Sequence, residues 1–190
     1  MIVRWWPPIG LAGMVLLGWV VRTGPVGIDD WFQQIGVGLG SYRDVFLLFS
    51  KPIVGAVALL GGIVVAVRQR RTRLALAMVL TPLLAIGIVR IAKPLFGREK
   101  GGALAYPSGH ATFLVAVAGL LVVLAGVALW ALILAITVSV LGVFGLSMTF
   151  HYFTDTIGAV LLSTSLVCVA AVLARGAPHG PAGTASAGLR

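Results

Sequence analysis

The sequence predicts an all-α membrane protein built as a six-transmembrane-helix bundle, and three observations support this fold class. The chain has 190 residues, of which 59% are hydrophobic and 10% are charged, a composition that suits lipid better than water. It contains six apolar stretches that approach the roughly 20 residues needed for one bilayer crossing. The charged residues fall almost entirely between these stretches, as expected when only the connections meet water.

The fourth and fifth predicted spans come from dividing one long apolar run. No charged residue occurs at positions 111–148, and a single helix of that length would measure about 57 Å. Because the hydrocarbon core of a bilayer is only about 30 Å thick, we divide the run at a turn near Gly126. The six predicted spans are residues 5–21, 45–67, 74–92, 111–127, 130–148 and 156–174.

The segments outside the spans are of two kinds. "GPVGIDDWFQQIGVGLGSY", residues 24–42, is too polar and Gly-rich to cross the membrane, so we predict an interfacial or partly buried helix there. Residues 1–175 then form one membrane domain. The last segment, 176–190, is rich in Gly, Ala and Pro, which predicts a disordered cytoplasmic tail.

The loop "RQRRTR", residues 68–73, sets the predicted orientation. It holds four Arg and no acid, which is typical of a cytoplasmic connection. Six crossings then place both termini in the cytoplasm and the connections 23–44, 93–110 and 149–155 outside. The excess of Arg over Lys and the many Ala, Gly and Val suggest a GC-rich bacterial genome. We therefore predict a protein of the bacterial cytoplasmic membrane whose active site faces outward.

The remaining composition limits cofactors and partners. The net charge is +9, but no basic arm with interleaved aromatic residues is present, so nucleic acid is not an expected partner. The single cysteine, Cys168, excludes a disulfide within the chain. No cofactor is predicted, and the expected partners are membrane lipids and a phosphorylated lipid substrate.

Two histidines are predicted to meet at the outer ends of the spans. His110 and His151 are separated by 40 residues, enough for one crossing inward and one crossing back. Three cations, Lys93, Arg98 and Lys100, lie in the same outer connection as His110, and Asp155 follows His151. Ionisable residues gathered at the mouth of a helix bundle indicate a functional site.

The chemistry of these residues fits phosphoryl transfer. Ser108, Gly109 and His110 would begin the fourth span, where backbone N–H groups and the helix dipole favour a phosphate. His151 and Asp155 are spaced i, i+4, so the carboxylate could fix the tautomer of an attacking imidazole. His110 would then protonate a leaving oxygen, and the cations would stabilise the transferred charge through a phosphohistidine intermediate.

Each of these residues also has a plain structural interpretation. The three cations could contact lipid headgroups at the interface. His110 could simply start a helix, and His151 with Asp155 could form a structural hydrogen bond. A metal site made from the two histidines, Glu99 and Asp155 is conceivable, but the neighbouring cations would repel the ion.

Three motifs resemble the signatures of the type 2 phosphatidic acid phosphatase superfamily, the integral-membrane lipid phosphate phosphatases. They are "KPLFGREK", "PSGH" and "HYFTD", which occur in the family's order between the third and sixth spans. The resemblance implies a six-span bundle, no metal and an extracytoplasmic active site. It implies that His151 is the nucleophile, Asp155 its orienting partner and His110 the general acid. The residues implied to hold the phosphate are Lys93, Lys100, Ser108 and Gly109.

The sequence departs from the family pattern at two places. The first signature usually ends in Arg-Pro, where this chain has Lys100 and Gly101. Lys lacks the planar fork that grips two phosphate oxygens, and we predict that Arg98 supplies it. The third signature usually has Ser-Arg where this chain has Phe144 and Gly145. Either another cation (Arg43, Lys51 or Arg90) takes the place of that Arg, or the affinity for phosphate is lower, or the pocket suits a different head group.

Two functions are consistent with the sequence. The first is metal-independent dephosphorylation of a membrane lipid phosphate or diphosphate, such as a polyprenyl carrier or a glycerophospholipid phosphate, through a phosphohistidine. The second is a non-catalytic relative that binds or translocates a phosphorylated lipid, having lost the third-signature Arg.

Overall fold

A computed structural model describes residues 2–175, without the side chains of Ile2 and Val3, and has an all-α architecture. The predicted tail, 176–190, lies outside the described residues. Two short strands pair antiparallel, with Glu99 opposite Leu104 and Lys100 opposite Ala103. The elements are α1 (Ile2–Val21), α2 (Gly27–Leu39), α3 (Arg43–Leu47), α4 (Pro52–Arg68), α5 (Thr72–Phe96), β1 (Glu99–Lys100), β2 (Ala103–Leu104), α6 (Gly109–Leu124), α7 (Leu129–Ser147) and α8 (Phe153–Arg175).

The helices are suited to a membrane by length and composition. In the described range, four helical stretches are long and apolar enough to cross one, namely Gly27–Arg68, Thr72–Phe96, Leu129–Ser147 and Phe153–Arg175. α6 is also apolar but has only 16 residues, about 24 Å at 1.5 Å per residue. The prediction of an all-α protein with membrane-compatible helices is therefore confirmed, whereas the number of crossings stays a prediction.

The second predicted span, 45–67, is not one continuous helix. α3 ends at Leu47, a 3₁₀ turn covers Leu48–Ser50, and Lys51 is extended with φ −62° and ψ 121°. The regular helix α4 begins only at Pro52. Proline fits the first position of a helix because it has no N–H to satisfy, and it holds the residue before it out of the α region. The break is thus encoded by Pro52.

Within the segment 24–42, residues Gly27–Leu39 form the partly buried helix that the sequence predicts. α2 packs on the ends of α7 and α8. Its inner face holds Asp29, Phe32 and Gly36, which are buried. Phe32 stacks on Phe153 with ring centroids 4.2 Å apart. A side chain at Gly36 would collide with the backbone of Met148, so this glycine allows α2 to lie close to the α7–α8 connection.

The helices bring three connections to one end of the bundle, which we call the site end. There α5 ends, α6 and α8 begin, and α7 returns. Ser108 donates its backbone N–H to the carbonyl of Asp155 over 3.1 Å, which ties the start of α6 to that of α8. At the opposite end Arg71 donates to the carbonyl of Leu124 over 2.7 Å and so caps the C-terminus of α6.

Tyr106 anchors the 97–108 connection in the core. Its side chain is fully buried, and its hydroxyl donates to the carbonyl of Met14 in α1. Its ring meets Phe96 edge to face with centroids 5.1 Å apart. Glycines at positions 18 and 158 leave the space that the ring fills. The connection that leads into α6 therefore has one fixed path between α1 and α8.

We expect Gly158→Ala to destabilise the protein because its Cβ would lie only 2.6 Å from Cε2 of Tyr106, a ring held in place by its hydroxyl. Overpacking of this kind costs about 1–3 kcal/mol. Gly87→Ala is the matched control, since nothing lies within 4 Å of its Cβ and alanine favours a helix by up to about 1 kcal/mol. Thermal unfolding in detergent would measure both variants, and equal midpoints would contradict the packing described for Tyr106.

Candidate active site

A cavity of about 880 Å³ opens at the site end of the bundle. It is bounded by α4, α5, the first turns of α6 and the α7–α8 connection. Its polar lining includes Lys93, Lys100, His110, Thr149 and His151. The rest of its lining is largely apolar and includes Pro52 and Ala56 of α4, Ile86 of α5 and Phe113 of α6. The cavity is therefore amphipathic, with its charged groups concentrated at the end where the connections lie.

The two histidines face each other across this cavity. Their ring centroids are 6.4 Å apart and their planes are inclined by 55°. His110 belongs to the first turn of α6 and is exposed, whereas His151 follows α7 and is buried. The helices between them make one antiparallel pair, which returns the chain to the same end. A separation of this size leaves room for one phosphoryl group between the rings.

The backbone of His151 is held on both sides. Its N–H donates to Leu146 over 3.0 Å. Its carbonyl accepts from Lys100 over 2.8 Å and from Gln33 over 3.2 Å. The partners of these bonds belong to α7, β1 and α2. Three elements therefore fix the backbone position from which the imidazole side chain extends. The orientation of the ring is less constrained than its position.

The predicted orienting contact between His151 and Asp155 is longer than a hydrogen bond. Nδ1 of His151 lies 3.7 Å from Oδ2 of Asp155, and this buried nitrogen has no other hydrogen-bond partner in the described part of the chain. Oδ2 already accepts the N–H of Tyr152 over 2.9 Å. Catalytic hydrogen bonds are often long without substrate and shorten in the complex. Asp155 is therefore near enough to orient the ring of His151, although no hydrogen bond joins the two side chains in this structure.

Two lysines supply the positive charge of the cavity. Lys93 donates to the carbonyl of Leu104 over 2.5 Å, and Lys100 donates to the carbonyls of Thr149 and His151 over 3.0 and 2.8 Å. Since an ammonium group has three donors, each lysine keeps at least one for an anion. Burial is the main cause that lowers the pKa of Lys100 to about 8, although Asp155 and Asp29 oppose this shift.

Ser108 and Gly109 have different positions at the start of α6. Ser108 is fully buried and caps the helix, because its hydroxyl accepts the N–H of Ala111 over 3.3 Å. It is not among the residues that line the cavity. Gly109 does line the cavity, and the N–H groups of Gly109 and His110 have no acceptor within the helix. Backbone donors of this kind suit an anion.

Arg98 points away from the cavity. It is 1% exposed, and its guanidinium bonds to Asp29 and to Asp155, each over 2.7 Å. It also bonds to the hydroxyl of Thr154 over 2.6 Å and to the carbonyl of Gly24 over 3.0 Å. The sequence predicts Arg98 as a phosphate ligand, but this geometry uses its fork for two carboxylates instead. We therefore leave it out of the proposed phosphate-binding residues.

The position of the missing third-signature arginine is closed by α3. A Cβ at Gly145 would lie 2.8 Å from both Cβ and the carbonyl carbon of Phe46. The other cations considered from the sequence, Arg43, Lys51 and Arg90, are not among the residues that line the cavity. Within the described residues, Lys93 and Lys100 are thus the cations of the cavity wall.

The side chains do not group as ligands for a metal. In the range 2–175, no three His, Cys, Asp or Glu residues come close enough to hold an ion. Both buried carboxylates are paired with Arg98, and the two ammonium groups of the cavity repel a cation. The donors that face the cavity suit an anion, and the absence of a metal cofactor stays a prediction.

Two residues of α2 that support the site, Asp29 and Gln33, were not predicted from the sequence. Asp29 accepts from Arg98 and, over 2.9 Å, from the backbone N–H of Thr154. Gln33 donates to the carbonyls of Ser147 and His151. The available signal was a polar, acidic helix predicted on the same side as the histidines. Nothing in the spacing indicates which acid would pair with Arg98, because Asp29 lies 69 positions before it in the chain.

We expect Arg98→Gln to lower the free energy of unfolding by about 3–5 kcal/mol, because two buried carboxylates lose the charge that compensates them. The control is Arg90→Gln, which removes the same charge from an exposed position on α5 and should leave stability nearly unchanged. Thermal unfolding in detergent distinguishes them. An Arg98→Gln protein as stable as the control would contradict the structural role of Arg98.

Comparisons with known proteins give no match. No protein-family model matches the chain, and neither a curated protein nor a solved structure matches it significantly. The resemblance to the type 2 phosphatidic acid phosphatases therefore rests on the three quoted motifs and their order. The function must accordingly follow from the residues of the cavity and their geometry.

Proposed function

We propose that the protein is a membrane phosphatase that removes phosphate from a lipid phosphate or diphosphate through a phosphohistidine. The observation that carries this proposal is the pair of imidazoles, His110 and His151, 6.4 Å apart in a cavity that also contains two lysines. Two bases and two fixed cations around a space of that size match what phosphoryl transfer needs: one attacking group, one proton donor and charge stabilisation.

In the first step Nε2 of His151 attacks the phosphorus of the substrate. A nitrogen–phosphorus bond forms while the bond from phosphorus to the ester oxygen, or to the bridging oxygen of a diphosphate, breaks. His110 gives its proton to the departing oxygen, so the lipid leaves as a neutral alcohol or as a lipid monophosphate. Nδ1 of His151 keeps its proton directed at Asp155, which balances the positive charge that forms on the ring.

In the second step water completes the cycle. His110, now neutral, takes a proton from a water molecule, whose oxygen attacks the phosphorus. The nitrogen–phosphorus bond breaks, its electron pair returns to His151, and inorganic phosphate leaves. Lys93, Lys100 and the N–H groups at the start of α6 stabilise the equatorial oxygens in both steps, since they are fixed before the charge develops.

The apolar wall of the cavity favours a lipid substrate over a soluble phosphate ester. Phe113 lies about one helical turn beyond His110, and Ile86 lies about two turns before Lys93. Apolar residues therefore extend from the level of the charged groups along α5 and α6 towards the middle of the bundle. A lipid phosphate would place its head at the lysines and the first part of its chain against this wall.

The proposed orientation places the site on the outer side of a bacterial cytoplasmic membrane. Helices α1 and α4–α8 would make the six crossings. The end opposite the site carries four arginines at positions 68, 70, 71 and 73, and a cytoplasmic loop is the expected place for them. Every acid of the chain falls within the three stretches predicted to lie outside, 23–44, 93–110 and 149–155.

A second candidate function is supported by a specific feature of the site. Arg98 is occupied by carboxylates, position 145 carries no cation, and Nδ1 of His151 is not closed on Asp155. A protein with such a site could bind or translocate a phosphorylated lipid without hydrolysing it. Binding of a lipid phosphate without release of phosphate would favour this alternative.

We expect His151→Ala to abolish release of phosphate from lipid phosphates, a loss of about 10⁴-fold or more, because the nucleophile is gone. His110→Ala should lose about 10²–10⁴-fold in kcat/KM on an alkyl phosphate but much less on an aryl phosphate, whose leaving group needs no proton. The comparison uses kcat/KM because it reports the first step, whereas the attack of water is common to both substrates. Release of inorganic phosphate in detergent measures both.

The control for this experiment is His179→Ala, which changes a histidine outside the proposed site and should leave activity unchanged. A chelator should have no effect on the wild-type protein. Full activity of His151→Ala would refute the nucleophile, and loss of wild-type activity on chelation would refute the metal-independent mechanism. Equal losses for His110→Ala on both substrate types would refute the assignment of His110 as the proton donor.

For an aryl phosphate, whose leaving group needs no proton from His110, we expect kcat/KM to fall as the pH rises through about 8. The pKa of Lys100 is about 8, so its ammonium is present below that pH and is lost above it. The substrate phosphate does not change charge there, because its second pKa is about 6. Lys100→Arg should keep kcat/KM for the aryl phosphate level from pH 7.5 to 9.5, since a guanidinium stays charged. The same decline in both proteins would show that another group is responsible.

A further inference from the structure

α2 holds the segment that carries His151 at several points. Gln33 donates to the carbonyls of Ser147 and His151 over 2.5 and 3.2 Å. Phe32 stacks on Phe153 with the two rings only 5° from parallel. These contacts come from one face of a helix that is otherwise exposed at residues such as Asp30 and Trp31. α2 is therefore attached to the chain on both sides of His151, at Ser147 and at Phe153.

Asp29 adds an electrostatic contact to this attachment. Its carboxylate and that of Asp155 are both fully buried, and the guanidinium of Arg98 lies between them with one nitrogen on each. The three groups together carry one more negative charge than positive charge. Because Arg98 divides its donors between two acids, Asp155 keeps Oδ2 free of the guanidinium, and this is the oxygen that faces Nδ1 of His151.

Removal of the charge on Asp29 would change that division. The guanidinium would then be left with Asp155 as its only carboxylate, and the three groups would become neutral overall. Asp155 would have less negative charge to offer to the ring of His151. Thr154 would be affected as well, because its hydroxyl accepts from Arg98 and donates to Asp29 over 2.9 Å.

We propose that Asp29 is a positioning residue, which acts through Arg98 to hold Asp155 at the Nδ1 edge of His151. This inference rests on the proposed phosphatase function. Asp29 touches neither the cavity nor the reacting atoms, so it alters the chemical step and not the binding of phosphate. α2 thereby becomes part of the catalytic apparatus although it contributes no residue to the cavity wall.

The test is Asp29→Asn, which preserves size and removes the charge. We expect kcat for release of phosphate from a lipid phosphate to fall by about 10- to 100-fold, by analogy with the groups that orient metal-binding histidines through a hydrogen bond. KM should remain within about twofold, because Lys93 and Lys100 are unchanged. The matched control is Asp30→Asn, in the same helical turn but exposed, which should behave as the wild type.

A double-mutant cycle separates positioning from general damage. If Asp29 acts through Asp155, then Asp29→Asn should cost little further kcat in an Asp155→Asn background. Fully additive losses would overturn the inference, as would a rise in KM with kcat unchanged. Asp29→Glu, which restores the charge, should recover part of the lost kcat, and no recovery would also count against it.

The failure of this inference is distinguishable from that of the proposed function. A wild-type protein that releases no phosphate refutes the phosphatase and the inference with it, whereas an active wild type with a fully active Asp29→Asn refutes the inference alone. If Asp29→Asn does not fold, Thr154→Val provides the measurement, since it keeps all three charges and removes the hydroxyl between Asp29 and Arg98. It should lower kcat by a smaller factor at constant KM, and an unchanged kcat would overturn the inference.

Discussion

The buried guanidinium of Arg98 is the constraint on which the site end of the protein depends. An uncompensated charge in such a place costs several kcal/mol, so the chain must bring acceptors to it. One carboxylate comes from α2 and the other from α8, while the arginine itself lies between α5 and β1. These elements can satisfy the charge in only one relative arrangement. That arrangement also determines where the segment 147–155 runs, and with it the position of His151.

The positive residues of the site end divide between structure and chemistry according to their shape. The planar fork of arginine can bridge two carboxylates, and Arg98 is used in this way. An ammonium group has three rotatable donors, so Lys93 and Lys100 can each bind a backbone carbonyl and still offer a proton to an anion. The ammonium groups of Lys93 and Lys100 therefore remain accessible to an anion in the cavity, whereas the guanidinium of Arg98 is buried between two carboxylates.

Much of the fold and part of the site could be predicted from sequence, for reasons that particular residues make clear. Helices α5, α7 and α8 lie where long apolar runs predict them, because a run of that length has few other stable states in lipid. The meeting of His110 and His151 follows from the number of residues between them. The helix break before Pro52 is also encoded locally by the proline. We nevertheless predicted one continuous span, because residues 45–67 are mostly apolar.

The partners of Arg98 could not be predicted, since Asp29 and Arg98 belong to different periodic segments and nothing local links them. The close approach of α3 to α7 at Gly145 could not be predicted either. Tertiary packing alone determines which residues lie next to this glycine.

That approach limits how the protein can change during evolution. An arginine introduced at position 145 would find the backbone of residues 46 and 47 in its path. A single substitution there would displace α3 before it could add a cation to the cavity. Acquisition of a further phosphate-binding charge at that point therefore requires earlier changes in α3.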